Sequence, residues 1–216
     1  MSQTASPLSL ASVHLTSVPV NHPTFASKGI TWLDQGQVHR AVMALFDPEL
    51  PGIATERRST SAILYRLEDA ATGPRVLVQS NIAPTTIHQG MATTTLEGLA
   101  STLRPGVEVQ FRLDVNAVRT QSRTGRRLPV PDADLPLLLL NPDDPDRPGL
   151  LAGALTGLDI LEVTSAVRAT GRTPLRVSSV RGLAIVADPE MLLAKIIHGV
   201  GRGKSYGCGL LSVAPA

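Results

Sequence analysis

Two segments of this chain carry residue types that move protons or hold phosphates. The first is Asp34-Gln-Gly-Gln-Val-His-Arg-Ala-Val-Met43, which sets His39 beside Arg40. Histidine titrates near neutrality, so it serves as acid or base at physiological pH. A lone helical histidine is nevertheless more often packing than chemistry, and on residue type both readings of His39 stay open. The second segment is His198-Gly-Val-Gly-Arg-Gly-Lys-Ser205, followed by Gly207. Its glycines let backbone N–H groups approach an anion closely, and Arg202 and Lys204 add charge. Gly201, Arg202, Gly203, Lys204 and Ser205 therefore form a candidate cradle for a phosphate backbone, with a plain tight turn as the alternative. The segment is not a nucleotide-binding P-loop. That motif needs glycine where His198 stands, and it must follow a strand and open a helix. Only eleven residues follow Ser205, which disfavours an ATPase reading of Gly203-Lys204-Ser205.

Other constellations are weaker. His14, His22, His88 and His198 form no HxxxH or HExxH pair, and the single Cys208 rules out a CxxC zinc site or a disulfide framework. No metal or cofactor is expected. Asp143, Asp144 and Asp146 resemble a metal cluster, but within Asn-Pro-Asp-Asp-Pro-Asp-Arg-Pro they read as turn formers. No Gly-x-Ser-x-Gly elbow is present. The six aromatic residues include no base-stacking run of the kind RNA-recognition sheets use.

Charge points to a partner. Net charge is only +2, yet 17 of the 20 cations are arginine. Residues 101–130 hold six arginines (104, 112, 119, 123, 126 and 127) against Glu108 and Asp114. Residues 166–204 hold five arginines and two lysines against Asp188 and Glu190, and 132–146 carries five aspartates and no cation. Arginine presents a planar fork that matches phosphate, so these stripes suit a polyanion; a solvated arginine-rich surface is the alternative. With 43% hydrophobic and 18% charged residues the chain is a folded protein, not a disordered polymer. Apolar runs such as Leu137–Leu140 are far short of the ~20 residues a membrane span requires. The N-terminal MSQTASPLSLASVHL has no basic region typical of a signal peptide. A cytoplasmic, non-membrane protein is expected.

The elements that must position these residues follow from periodicity and turn signals. Leu8–Val20 predicts a strand. Asp34 predicts the cap of a helix running to about Phe46, ended by Pro48 and Pro51. Ser61–Glu68 and Arg75–Ile82 predict a hairpin around Asp69-Ala-Ala-Thr-Gly-Pro. Residues 83–104 are weakly patterned, with a poor helix near 96–103. Val107–Val118 alternates and predicts a strand leading to a basic glycine turn. The Pro/Asp-rich 129–149 predicts a loop, 149–158 a short apolar helix, and 159–167 and 175–186 two strands. Asp188-Pro189 opens a helix to His198, and a last strand spans 210–213. From 106 onward the pattern is βαββαβ, and the first half is a degraded copy. The fold class is therefore α+β: two tandem ferredoxin-like (RRM-like) domains, 1–104 and 105–216, the first degenerate.

Gly199-Val-Gly-Arg-Gly-Lys-Ser-Tyr-Gly-Cys-Gly-Leu-Leu-Ser-Val-Ala-Pro215 resembles the glycine-rich signature of the CasE family, the CRISPR precursor-RNA endoribonucleases of type I-E Cascade systems. Three further blocks agree in order and spacing: Phe111–Arg119 with Thr124-Gly-Arg-Arg127, Val186–Glu190 leading into a helix, and Gln37–Phe46. The resemblance implies a metal-independent endoribonuclease. It would cut CRISPR repeat RNA at the 3′ base of its stem-loop, leaving 2′,3′-cyclic phosphate and 5′-OH ends, and stay bound to the guide RNA with other Cascade subunits. It makes His39 the catalytic residue. Arg40 or the glycine-rich loop would stabilise the developing phosphorane charge, and Arg119, Arg123, Arg126, Arg127, Arg168 and Arg172 would grip the stem. The sequence departs from the family at Gly36, where relatives carry a tyrosine that assists the histidine, and at Ala41, Ala44 and Asp47, where some members are basic. A tyrosine restored at 36 is expected to raise the rate if the helix register allows it. The rival is a non-catalytic RNA-binding subunit of the same fold.

Overall fold

A computed structural model describes residues 13–26, 29–30, 32, 34–50, 60–87, 89–121, 124–144, 146–171 and 174–216. The chain is a mixed α+β protein, and its described residues form two four-stranded antiparallel sheets. In chain order the first half holds β1 (His14–Pro19), α1 (Pro23–Ala26), α2 (Gln35–Met43), β2 (Leu64–Ala70), β3 (Gly73–Ser80), β4 (Ala92–Thr95) and α3 (Glu97–Ala100). The second half holds β5 (Glu108–Val115), β6 (Val118–Thr120), β7 (Arg127–Pro129), α4 (Leu135–Leu139), β8 (Leu155–Arg168), β9 (Leu175–Val186), α5 (Pro189–His198) and β10 (Leu211–Pro215). The first sheet runs β2-β3-β1-β4 and the second β10-β5-β9-β8, while β6 and β7 form a separate ribbon. Among the described residues no helix is long and apolar enough to cross a membrane.

Each sheet is covered by one helix whose apolar stripe matches the strand alternation. Val38, Ala41, Val42 and Leu45 of α2 and its exit pack on Val18, Tyr65, Val76 and Val78. Leu192, Ile196 and Ile197 of α5 pack on Val109, Phe111, Leu113, Val180 and Ala184. Both helices start as the sequence indicates. Asp34 accepts the Gly36 and Gln37 N–H groups, and Asp188 accepts those of Glu190 and Met191 with Pro189 in the first turn.

The halves are held together by polar groups on the strand faces opposite the α2 core. The buried Arg66 guanidinium donates to the Leu210 and Arg112 carbonyls, to Ser212 Oγ and to the Glu68 carboxylate. Its burial pushes the guanidinium below the usual arginine range, against the pull of Glu68. Gln79 Nε2 donates to Ile196 O at 2.7 Å, at the end of α5.

Three expectations need correction. The stretch 129–149 contains α4, and 149–158 is not helical: turns lead directly into β8 at Leu155. Gly153 and Gly157 adopt positive φ, which breaks a helix there, while the Leu150 and Leu151 N–H groups bond the Leu138 and Leu139 carbonyls. The weakly patterned 83–104 holds the exposed edge strand β4, built from Ala92 and three threonines paired to β1. The expected strand at 8–20 is described only from residue 13, as β1.

Candidate functional site

The site forms where α2, the glycine-rich segment and the end of β8 meet. The first turn of α2 docks on the β8–β9 connection: Gln35 N donates to Ala169 O at 2.8 Å. Gly36 lies against this seam, with the position of a Cβ only 2.9 Å from Thr170 O and 3.1 Å from Asp34 Oδ1. A side chain at 36 therefore points into backbone. This corrects the expectation that a tyrosine restored there would assist His39.

Gln35 and His39 are four residues apart and share a face of α2. That face meets the 204–207 turn. The Tyr65 hydroxyl, from β2, lies 3.1 Å from both Gln35 O and Ser205 O, and the Tyr65 ring stacks near the half-buried His39 imidazole with centroids 6.5 Å apart and planes 24° apart. Nothing in the sequence pattern marks Tyr65, since it reads as an ordinary core residue of a strand.

The glycine-rich segment is a pair of tight turns rather than a strand-to-helix phosphate loop; it follows α5 and feeds β10. Gly209 shows why glycine is required. At φ +86° a Cβ would stand 2.7 Å from Val200 O, while its N–H bonds Asp114 O and its carbonyl accepts from Val200 N. Gly201, Gly203 and Ser205 are half-buried around this turn and Arg202 is exposed. Lys204 Nζ donates to His198 O at 2.7 Å, where an ammonium also complements the C-terminal end of α5.

Arg168, the last residue of β8, precedes Ala169 and so sits beside the α2 start. It pairs with the buried Asp114 carboxylate at 2.9 Å, which fixes its guanidinium. Next to them lies Cys208, whose thiol burial pushes up to about 12, with Arg168 opposing and Asp114 adding to the shift. Arg40 is exposed on α2 one residue past His39.

The remaining predicted arginines are elsewhere. Arg119, Arg126 and Arg127 are exposed on the β6–β7 ribbon, registered Arg119 to Leu128 and Thr120 to Arg127. Their side chains form no ion pair with another described residue. Arg123, Arg172 and His88 lie outside the described residues. Of the other histidines, a His22 ring nitrogen is 3.0 Å from Gln89 O in a buried setting, and His198 ends α5. Asp144 accepts the Arg147 N–H, as a turn former does, and among the described residues no three His, Cys, Asp or Glu side chains could hold a metal. A cavity of about 500 Å³ between the sheets is lined by Arg112, Arg168 and Arg181, but also by Glu68, Asp69 and Glu162. Two of those arginines pair with these acids, so this cavity does not suit a polyanion.

Residues 13–215 match a family model described as CRISPR associated protein. A curated relative, the CRISPR-associated endoribonuclease Cse3 of Thermus thermophilus, is 30% identical over 168 residues, 71% of this chain and 80% of its own. A solved structure of the CRISPR endoribonuclease Cse3 bound to 19 nt RNA superposes with a TM-score of 0.70 at 25% identity, covering 94% of this chain and 98% of that one. Thermus thermophilus Cse3 bound to an RNA representing a pre-cleavage complex gives 0.68 at 25%, covering 94% and 99%. The fold extends to Cas6e from Escherichia coli K-12, with a TM-score of 0.62 at 21% identity, covering 94% and 100%.

Proposed function

From the premise that the chain belongs to the CRISPR-associated protein family, as a CasE-type endoribonuclease, we propose that it is a metal-independent enzyme cutting CRISPR repeat RNA at the 3′ base of the repeat stem-loop. The observation that carries this reading is the meeting of the His39 face of α2 with the glycine-rich turn and Arg168. In this reading His39 is the proton-transfer group and the turn against its helix face is what holds the phosphate.

RNA brings its own nucleophile. The 2′-oxygen loses its proton to a base and bonds to phosphorus; the bond from phosphorus to the 5′-oxygen breaks, and that oxygen takes a proton. The products are a 2′,3′-cyclic phosphate and a 5′-OH. His39 moves one of these two protons, a contribution of ~10²–10⁴ in rate. Backbone N–H groups at Gly201, Gly203 and Ser205, with the charges of Arg202, Lys204 and Arg40, offset the negative charge that grows on the phosphorane. Arg168, whose guanidinium Asp114 holds in place, is counted with the arginines that grip the stem. Arg119, Arg126 and Arg127, with Arg123 and Arg172, grip the stem. The exposed two-stranded ribbon supports this reading, because Arg119, Arg126 and Arg127 form no ion pair with a described neighbour.

The architecture fits two tandem ferredoxin-like halves, 1–104 and 105–216. In support, both sheets follow the order fourth, first, third, second of their own strands, and in the first half the described residues between β3 and β4 form no helix. The partners are repeat RNA and the other Cascade subunits, with which the protein stays after cleavage, in the cytoplasm. Cse3 structures contain RNA, which supports the RNA assignment.

The test is incubation of the full chain with repeat stem-loop RNA in EDTA, beside the same RNA carrying one 2′-deoxy nucleotide just 5′ of the cut. Cleavage of the first and binding without cleavage of the second are expected. Binding of both with cleavage of neither would make the protein a non-catalytic RNA-binding subunit.

A further inference from the structure

Tyr65 is buried at 1% exposure, 30 residues from Gln35 and 140 from Ser205, and one hydroxyl lies 3.1 Å from the carbonyl oxygens of both. Its single proton serves one carbonyl at a time, and both lie within its reach. In an α-helix the Gln35 carbonyl is the acceptor of the residue-39 N–H. The hydroxyl therefore holds the helical turn on which His39 is mounted. Its other partner, Ser205, lies in the turn that the proposed reaction uses to bind phosphate. The ring of the same side chain stacks near the His39 imidazole, and a Cβ on Gly207 would stand 3.1 Å from that ring, so the loop backbone lies directly against it.

Packing alone does not require this hydroxyl. Phenylalanine would fill the volume, whereas a buried O–H is unfavourable unless it is bonded. What the hydroxyl adds is a fixed spacing between three parts of the chain that are remote in sequence: β2, the start of α2 and the glycine-rich turn. Catalysis by positioning is sensitive at this scale, since a displacement of ~1 Å lowers a rate on the order of 10²-fold.

We infer that Tyr65 is a positioning residue of the RNA-cleaving site. Its hydroxyl ties the first turn of α2 to the glycine-rich turn and its ring backs His39, so that the proton-transfer group and the phosphate-binding loop keep one register. This rests on the reading of His39 as the group that moves a proton.

The experiment compares wild type, Tyr65→Phe, Tyr65→Leu and His39→Ala as full chains in single-turnover cleavage of repeat stem-loop RNA at saturating protein. Binding of the uncleavable 2′-deoxy RNA is measured in parallel. For Tyr65→Phe the rate constant should fall roughly 10- to 100-fold, with complete reaction amplitude and unchanged affinity for the uncleavable RNA. Tyr65→Leu should fall at least as far. At saturating protein the rate constant does not depend on protein concentration, so an unfolded fraction leaves both it and the amplitude unchanged while folded protein stays in saturating excess, and partial unfolding cannot mimic the expected result. A Tyr65→Phe rate constant equal to wild type overturns the inference, whether or not Tyr65→Leu is slow. A weaker affinity with an unchanged saturating rate overturns it as well. If His39→Ala cuts like wild type, the underlying reading fails; if His39→Ala is inert while Tyr65→Phe is normal, only this inference fails.

Discussion

Replacing Gly36 by alanine should destabilise the protein even though alanine is the better helix former. In an open helix interior the change stabilises by about 1 kcal/mol. At this position the new Cβ would fall 2.9 Å from Thr170 O and 3.1 Å from Asp34 Oδ1. The Thr170 oxygen is backbone, and the neighbouring Ala169 carbonyl receives the Gln35 N–H at 2.8 Å, so this segment cannot retreat without releasing α2. Moving Asp34 instead disturbs the cap that accepts Gly36 N at 2.8 Å, an interaction worth about 1 kcal/mol. Because the Cβ makes both contacts at once, overpacking costs about 1–3 kcal/mol and the disturbed cap about 1 kcal/mol; less about 1 kcal/mol gained in helix propensity, the net loss is about 1–3 kcal/mol. For a chain of this size each kcal/mol lowers the melting midpoint by roughly 2–4 °C. Calorimetry of Gly36→Ala reads the stability directly. Gly36→Tyr should lose at least as much and should cut RNA more slowly, because the displaced helix carries His39 with it. A Gly36→Ala protein as stable as wild type would refute the docking of α2 on residues 169–170. A Gly36→Tyr protein that cleaves faster would refute the register of the helix.

Replacing Arg126 and Arg127 together by alanine should weaken stem-loop binding and flatten its salt dependence by roughly 0.7–0.9 in log K against log salt for each phosphate left without its cation. An unchanged slope in a salt titration would mean that the β6–β7 ribbon does not face RNA. Cys208 makes a pH prediction. Its folded value, about 12, lies above that of an ordinary thiol, so the folded state keeps a proton that the unfolded chain loses. That stability is fully present below the unfolded value of about 8.5 and declines as pH rises above it, by up to about 1.4 kcal/mol per pH unit. Denaturant melts of wild type and Cys208→Ala between pH 8 and 10.5 isolate the effect. Lys195, held below its ordinary value by burial, has the opposite slope but is common to both proteins. Parallel curves would refute the burial of the thiol.

The parts of the fold legible in the sequence are those with a local signal. Asp34 and Asp188-Pro189 announce α2 and α5, the predicted strand 175–186 coincides with β9 at both ends, and the Thr-Gly-Pro turn marks the β2–β3 hairpin. The elements that differ from expectation lack such a signal or carry a misleading one. Leu135–Leu139 is helical inside a Pro/Asp-rich stretch because its leucines bury against the second core, a tertiary effect. The apolar run after Gly149 has a helix-like composition, but Gly153 and Gly157 turn it toward β8. β4 is short, exposed and threonine-rich, and it exists because β1 offers an edge to pair with. In the candidate site, His39 and the glycine-rich turn are visible as residue types and spacing. The Tyr65 tie, the Arg168–Asp114 pair and the obstruction at Gly36 join residues far apart in sequence, and no local pattern encodes them.

The most direct test of the central claim is the single-turnover cleavage rate of repeat stem-loop RNA by His39→Ala, measured in EDTA beside its affinity for the same RNA. The account predicts a rate lowered ~10²–10⁴-fold or more with near wild-type binding, because a proton-transfer group acts mainly in the transition state. Cleavage at the wild-type rate would contradict it.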